Sequence, residues 1–429
     1  MNSLVEPVMS RTARSLGAIE KFFYLLSQSH PNHFVMAGEV SGRTRVDQWQ
    51  DALDCVAHRS PLVWSRIERD SRGAPVFAPV PHGAVPLQVK PYESTKWTDE
   101  AAAQVAQPFD ELNPPLMRAT LLHGEERSII VLVAHHSIAD GVSLTSLLGD
   151  LLRAMAGQPL VRSQETMAVE RLIERTHGMP TNNPSAPVPA AADAPAAPVR
   201  TPPAMREPDG SMPHIEALRL TSAITRNLRE RARIERTSVQ SALVAAFTKA
   251  VCFLTAATPR EPMRVLSPVD LRRRLLGGSD HLAMCASGVV HPDDHSRDAD
   301  LWSRARLAAQ AFAGIQSPAH LAAQVLGTHA ILDTVNGVAE AKAVFAQAFG
   351  NDAVITNLGV VDLPKQFGAL VLDAVWGPSV VVGVEGEQVI GAVTFDDQLH
   401  LVHTSFAPMR GLLDQMTAEI EVALAHADQ

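Results

Sequence analysis

Leu16, Ile19, Phe22, Phe23 and Leu26 recur at helical spacing, which predicts an amphipathic helix over 15–27. Phe34, Met36 and Val40 then fall at even spacing, as on a strand, and a helix is expected over 46–58. Two further strands are predicted at 116–123 and 128–134. The second is an almost continuous apolar, β-branched run of the kind that suits a strand buried on both faces. After Asp140-Gly141 the period turns helical, with Leu144, Leu147, Leu148, Leu151 and Leu152 on one stripe. Later in the chain the same reading predicts helices at 222–234, 239–254, 298–315 and 409–425. It predicts strands at 263–269, 353–358, 369–376, 388–395 and 399–406. Helices and strands mix in both halves, so the fold class expected is α+β with two lobes.

Between Gly178 and Pro213 stand 10 of the 30 prolines, interleaved with alanine. Proline continues neither a helix nor a central strand, and the stretch lacks apolar bulk for a core. Residues 178–213 are therefore expected to link an N-terminal lobe, 1–177, to a C-terminal lobe, 214–429. No internal repeat or heptad pattern appears.

With 429 residues, 46% of them hydrophobic, the chain is long enough for large buried cores. No apolar run approaches the ~18 residues of a membrane helix, and Met1 to Glu6 has neither the basic start nor the apolar core of a signal peptide. Cys55, Cys252 and Cys285 are odd in number and far apart, which indicates neither a disulfide framework nor a thiolate metal site. A cytoplasmic location is expected. The net charge of −9 argues against general nucleic-acid binding, which depends on neutralising phosphates.

The densest chemistry lies in His135-His136-Ser137-Ile138-Ala139-Asp140-Gly141, between the apolar strand and the helix. A strand end holds an imidazole rigidly, and histidine titrates near neutral pH, as a general base requires. Asp140 can orient the site, and Gly141 permits a backbone conformation or close approach that a Cβ would hinder. Each part has a plainer reading: a histidine satisfied at a core edge, a metal ligand, an ordinary Asp-Gly turn. A metal site would need a third ligand in an organised local pattern, and none is present.

This His-His-x-x-x-Asp-Gly segment resembles the hallmark of condensation-domain and polyketide-associated-protein acyltransferases. The resemblance extends over nearly the whole chain: Ser15-Leu16-Gly17 with Glu20, the segment from His58 to Arg66, Ser267-Pro268-Val269-Asp270-Leu271-Arg272, Thr356-Asn357-Leu358-Gly359 and Asp373 to Gly377. It implies two chloramphenicol-acetyltransferase-like lobes forming a pseudo-dimer with a central tunnel. In that fold His136 would be the general base, and His135 would point away from the tunnel in a structural role. Asp140 would be structural, most simply paired with Arg272. Arg272 also reads as a surface arginine in the run Arg272 to Arg274. The acyl donor would be a thioester on a carrier-protein phosphopantetheine arm or on coenzyme A, with no bound cofactor. Backbone amides near Gly141 are candidates for stabilising the oxyanion.

The closeness of Pro268-Val269-Asp270-Leu271-Arg272 to ester-forming members of that family favours an O-acyltransferase acting on an alcohol, in polyketide, lipid or hybrid natural-product assembly. Two alternatives stand beside it: a stand-alone amide-forming condensation enzyme, and a non-catalytic module that only binds a carrier protein. No carrier domain is attached, so an acyl or peptidyl carrier protein would act in trans, and a monomer suffices to build the tunnel. The arginines of 226–236 read as a solvated helix face with local ion pairs, in preference to a dock for an acidic carrier protein or phosphates. His281, His291, His295, His400 and His403 form no ligand pattern and read as incidental. No glycine-rich phosphate loop is present, so the acyl group would arrive already activated.

Overall fold

The computed structural model describes residues 13–160, 167–178, 204–255, 263–278, 282–292, 299–312, 315, 317–349 and 351–425. The first half contains β1 (Arg14–Ser15), α1 (Ala18–Ser27), β2 (Phe34–Ser41), α2 (Val46–Ala57), β3 (Ser65–Arg69), β4 (Pro75–Pro79) and β5 (Leu87–Pro91). It continues with α3 (Trp97–Ala106), β6 (Met117–His123), β7 (Arg127–Ala134), α4 (Gly141–Met155) and α5 (Val169–His177). The second half opens with β8 (His214–Arg219), α6 (Ser222–Ile234), α7 (Val239–Leu254), β9 (Arg264–Asp270), α8 (Arg272–Leu275), β10 (Ala286–Pro292) and α9 (Leu301–Ala311). It ends with α10 (Pro318–Asp333), α11 (Val338–Val344), β11 (Ala353–Val360), β12 (Gln366–Phe367), β13 (Leu370–Val380), β14 (Gln388–Phe395), β15 (Gln398–Ser405) and α12 (Leu412–Ala425).

Two six-stranded mixed sheets organise the molecule. One runs β12-β13-β2-β7-β6-β5, the other β10-β9-β11-β14-β15-β8, and a small third sheet runs β1-β4-β3. The fold is α+β, as expected. In the first sheet β7 lies between β2 and β6, antiparallel to both. Its residues from Ser128 to Ala134 are all buried, which accounts for its unbroken apolar run. α2 and α4 pack on one side through Trp49, Leu53, Leu144, Leu148 and Leu152. A second core gathers α7, α9 and α12 around Phe247, Trp302 and Met416.

The helix starts follow local chemistry. Asp140, Thr221, Ser238, Asp300 and Ser317 each place a side-chain oxygen on an N–H of the first turn of α4, α6, α7, α9 and α10. α1 begins at Gly17, which has no side chain to cap it, so Glu20 accepts from the Gly17 N–H and Glu170 from the Ala18 N–H.

Within 214–429, β12 and β13 stand apart from the other strands and extend the first sheet. β13 pairs antiparallel with β2, from Val371 opposite Ser41 to Val380 opposite Phe34. β13 returns against β14 so closely that a Cβ on Gly391 would lie 2.1 Å from the Pro378 carbonyl oxygen. An apolar strand reads alike in either sheet; its partner is set by pairing across more than three hundred residues of chain. Of the expected linker, residues 179–203 lie outside the described residues. At its far end Met205 forms a bridge with Val384, and the Arg206 N–H donates to the Gly383 carbonyl, 2.8 Å.

A cavity of about 1640 Å³ lies where the two halves meet, lined from both of them by residues including His136, Gly141, Pro268 and Thr356. It occupies the place expected of the tunnel. No single helix among the described residues is long and apolar enough to cross a membrane.

Candidate active site

β7 ends at Ala134 and the chain turns at once: the Ile138 N–H donates to the His135 carbonyl, 3.1 Å, and Asp140 then caps α4. The Ser137 hydroxyl ties this turn to α1 by donating to the Glu20 carbonyl, 2.9 Å. His135 and His136 are thereby sent in different directions.

His136 lines the cavity. Its Nδ1 lies 3.0 Å from the Ala139 carbonyl oxygen. A carbonyl only accepts, so Nδ1 carries the proton and Nε2 keeps its lone pair. The ring is stacked on Phe23, centroids 4.3 Å apart, and tilted against Phe34 at 4.8 Å. Burial lowers its pKa from the ordinary 6.5 to about 4, against the opposing pull of the Ala139 carbonyl and the Asp140 charge. At neutral pH the ring is uncharged, and Nε2 is its basic nitrogen.

His135 does not line the cavity. It is buried, its Nδ1 accepts from the Ser137 N–H at 3.1 Å, and its Nε2 lies 3.5 Å from Glu111 Oε1. Phe109 meets the ring edge-on. Burial raises the Glu111 carboxyl, but the contacts with His135 and Ser27 outweigh it and leave the group below its ordinary value.

Asp140 and Arg272 are brought together across the two halves. Arg272 Nη1 lies 2.7 Å from Asp140 Oδ2, and both side chains are buried. The Ser143 N–H and hydroxyl donate to Asp140 Oδ1, each at 2.9 Å, and the Cys285 N–H donates to Oδ2 at 2.9 Å. Arg272 also donates to Ser143 Oγ, to the Ala283 carbonyl and to Asp270. Burial pushes the Asp140 carboxyl up, yet the Arg272 charge and these bonds hold it below the usual carboxylate range. The same partnership raises Arg272 above its ordinary value despite burial. Arg272 is thus no surface residue: it bonds α8 to the cap of α4.

Gly141 opens α4 where the second half presses against it. A Cβ there would lie 2.9 Å from both Leu358 Cδ2 and Pro378 Cγ. Of the two readings open to this glycine, close approach is the one present. Leu358 belongs to the Thr356-Asn357-Leu358-Gly359 segment of β11, and Thr356 through Gly359 line the cavity.

Residues 20–182 match the family model described as the condensation domain. The matched stretch contains the whole His135-to-Gly141 turn. A second model, described as the phthiocerol/phthiodiolone dimycocerosyl transferase C-terminus, matches residues 209–280, which include Asp270 and Arg272. Tyrocidine synthase 3 of Brevibacillus parabrevis is 27% identical over 165 residues, 36% of this chain and 2% of the synthase. A nonribosomal peptide synthetase of Ceriporiopsis subvermispora is 37% identical over 70 residues, 16% of this chain and 3% of the synthetase. The matched stretches thus span a small fraction of these relatives' length. Among solved structures, polyketide synthase associated protein 5 from Mycobacterium tuberculosis superposes with a TM-score of 0.64 at 17% identity. The superposition covers 97% of this chain and 100% of that one. A trichothecene 15-O-acetyltransferase from Fusarium sporotrichioides gives 0.63 at 13% identity, covering 96% and 94%. These likenesses are of fold: the chloramphenicol-acetyltransferase-like pseudo-dimer.

Several residues of this site carry no signal in the sequence. Phe23 was legible as a helix-face residue but not as the ring under His136. Glu111, Glu170 and His329 had no motif to mark them, and His329 also lines the cavity. Among the arginines of 226–236, Arg231 pairs with Glu235 at 2.5 Å and Arg229 with Asp397 at 3.3 Å, while Arg236 borders the cavity. His400 and His403 are buried in the second sheet. His281, His295 and the side chain of His291 lie outside the described residues. No cluster of His, Cys, Asp or Glu among the described residues could hold a metal ion.

Proposed function

We propose that this chain is an O-acyltransferase, moving an acyl group from a carrier-protein phosphopantetheine or coenzyme A thioester to an alcohol, with His136 as general base. The observation that carries the reading is the Nδ1–H bond from His136 to Ala139, which leaves Nε2 unprotonated on a ring that lines a cavity between the two halves. Nε2 takes the proton of the acceptor hydroxyl as its oxygen attacks the thioester carbonyl. The resulting tetrahedral oxyanion collapses, the C–S bond breaks, and the sulfur leaves with the proton that His136 returns. An imidazolium with a pKa of about 4 gives its proton readily to a thiolate, whose thiol has a pKa of about 8.5.

Gly141 and Val142 border the cavity in the first turn of α4, where helix N–H groups have no intrahelical acceptor. Their amides are the donors we assign to the oxyanion. His135, Asp140 and Arg272 act as support, holding the turn and the junction of the two halves. Holding donor and acceptor in one cavity would itself contribute roughly 7–11 kcal/mol in favourable geometry.

The match of residues 209–280 to a transferase of the dimycocerosyl type, and the likeness to a 15-O-acetyltransferase, favour an ester product. The condensation-domain match and the nonribosomal peptide synthetase relative favour the second reading, amide formation. Intact-mass spectrometry with acyl carrier proteins and acyl-CoAs as donors, against alcohols and amines, separates them. Ester products from alcohols support the proposal. Amide products alone favour the second reading, and carrier-protein binding without any product points to a binding module.

A further inference from the structure

His329, on α10, brings a second imidazole to the cavity wall, on the opposite half of the chain from His136. Its side chain is 7% exposed, and its Nδ1 lies 3.4 Å from Glu170 Oε2. Neither of these two buried atoms has a hydrogen-bond partner among the described residues, so each is the other's nearest resource. Glu170 is anchored from behind: its Oε1 accepts from the Ala18 N–H at the start of α1, 2.9 Å. Gly17 makes this possible, because a Cβ there would come within 2.6 Å of the Glu170 carboxylate. Burial pushes the Glu170 carboxyl up, but His329 outweighs it and keeps the group ionised.

An anchored carboxylate beside Nδ1 draws the ring proton to that side. With Nδ1 buried, Nε2 is the ring nitrogen left for a bound molecule, and a hydroxyl, which both donates and accepts, suits it. The neighbouring wall is apolar: Phe22, Val325, Leu332 and Phe345 belong to one packed cluster and also line the cavity. Such a wall selects a hydrocarbon chain, and a polar group set in it selects a hydroxyl on that chain.

We infer that Glu170 and His329 form a recognition site for a hydroxyl group carried on an otherwise apolar substrate chain. This rests on the acyl-transfer reading of the same cavity. The hydroxyl can belong to the acyl donor or to the acceptor, and the test treats the two separately.

Decanoyl-pantetheine is compared with its positional series of monohydroxylated forms, and decanol with the matching decanediols, by kcat/KM and by calorimetric binding without turnover. One net hydrogen bond of about 1 kcal/mol corresponds to roughly fivefold. The wild type is expected to favour at least one hydroxylated form by about that factor or more. His329→Leu should bring the ratio to about one while leaving the unhydroxylated compound unimpaired. Should His329→Leu fail to fold, Glu170→Gln is read instead: it keeps an acceptor for Ala18, loses the charge that directs the ring proton, and should diminish the preference. No preference at any position in either series, or a preference unchanged in the variant, overturns the inference. Binding preference without transfer would sink the acyltransferase reading and leave this one standing; transfer without preference does the reverse.

Discussion

Arg272 Nη1 lies 2.7 Å from Asp140 Oδ2, joining two residues that stand 132 positions apart in the chain. The bond ties the N-cap of α4 to α8, and so one wall of the cavity to the other. Arg272→Ala leaves a buried carboxylate without its counter-charge, which typically costs about 3–5 kcal/mol. The denaturation midpoint should fall accordingly, and an unchanged midpoint would show that the pair does not hold the halves together. Asp140 has a folded pKa below its unfolded one. Its contribution is therefore complete above about pH 4, the unfolded value, and is lost as pH falls through the lower folded value. In Arg272→Ala the acid limb of the stability curve should flatten.

With His136 in its proposed role of general base, the pH profile of kcat/KM follows from its burial. A base works unprotonated, so a lowered pKa extends activity towards acid. The acid limb should fall with a midpoint near pH 4, the value of the buried ring, and not near 6.5. Stability moves the opposite way: between pH 6.5 and 4 the unfolded chain binds a proton that folded His136 refuses, and this destabilises the fold as pH drops. A midpoint near 6.5 in the rate would place the titrating base elsewhere.

Gly141→Ala tests the contact between halves at the motif itself. The new methyl meets the Pro378 ring and Leu358 at 2.9 Å; the leucine tip can rotate, but the proline is rigid. Overpacking of this kind costs about 1–3 kcal/mol. We expect a lower melting temperature and reduced transfer, with Gly141→Ser no better. A neutral result would mean that α4 and β13 yield at no cost.

Much of this was legible in the chain because the signals are local. α6, α7 and β14 fall on their expected bounds, since each has strong periodicity and an abrupt start; Ser238 caps α7 where the apolar run begins. The histidine turn was legible because a buried strand, a turn and a capped helix follow one another along a short stretch of chain.

What was not legible depends on distant partners. α10 escaped prediction because Ile331 is exposed among buried Leu321, Val325 and Leu332, which blurs its apolar face. β13 read correctly as a strand and gave no sign that it crosses to the first sheet. The edge strand β5, Leu-Gln-Val-Lys-Pro, is half polar and exposed, and carried no alternation strong enough to name. Glu170 and His329 meet through the packing of α5 against α10, so no spacing in the sequence announces them.

The most direct test of the account is the transfer rate of His136→Ala against wild type, read by intact mass with one donor and acceptor pair that the wild type converts. The fold of the variant is checked by its melting curve and by donor binding. The account predicts that binding is kept and the rate falls by about 10²–10⁴. A folded His136→Ala protein that transfers acyl groups at the wild-type rate would contradict it.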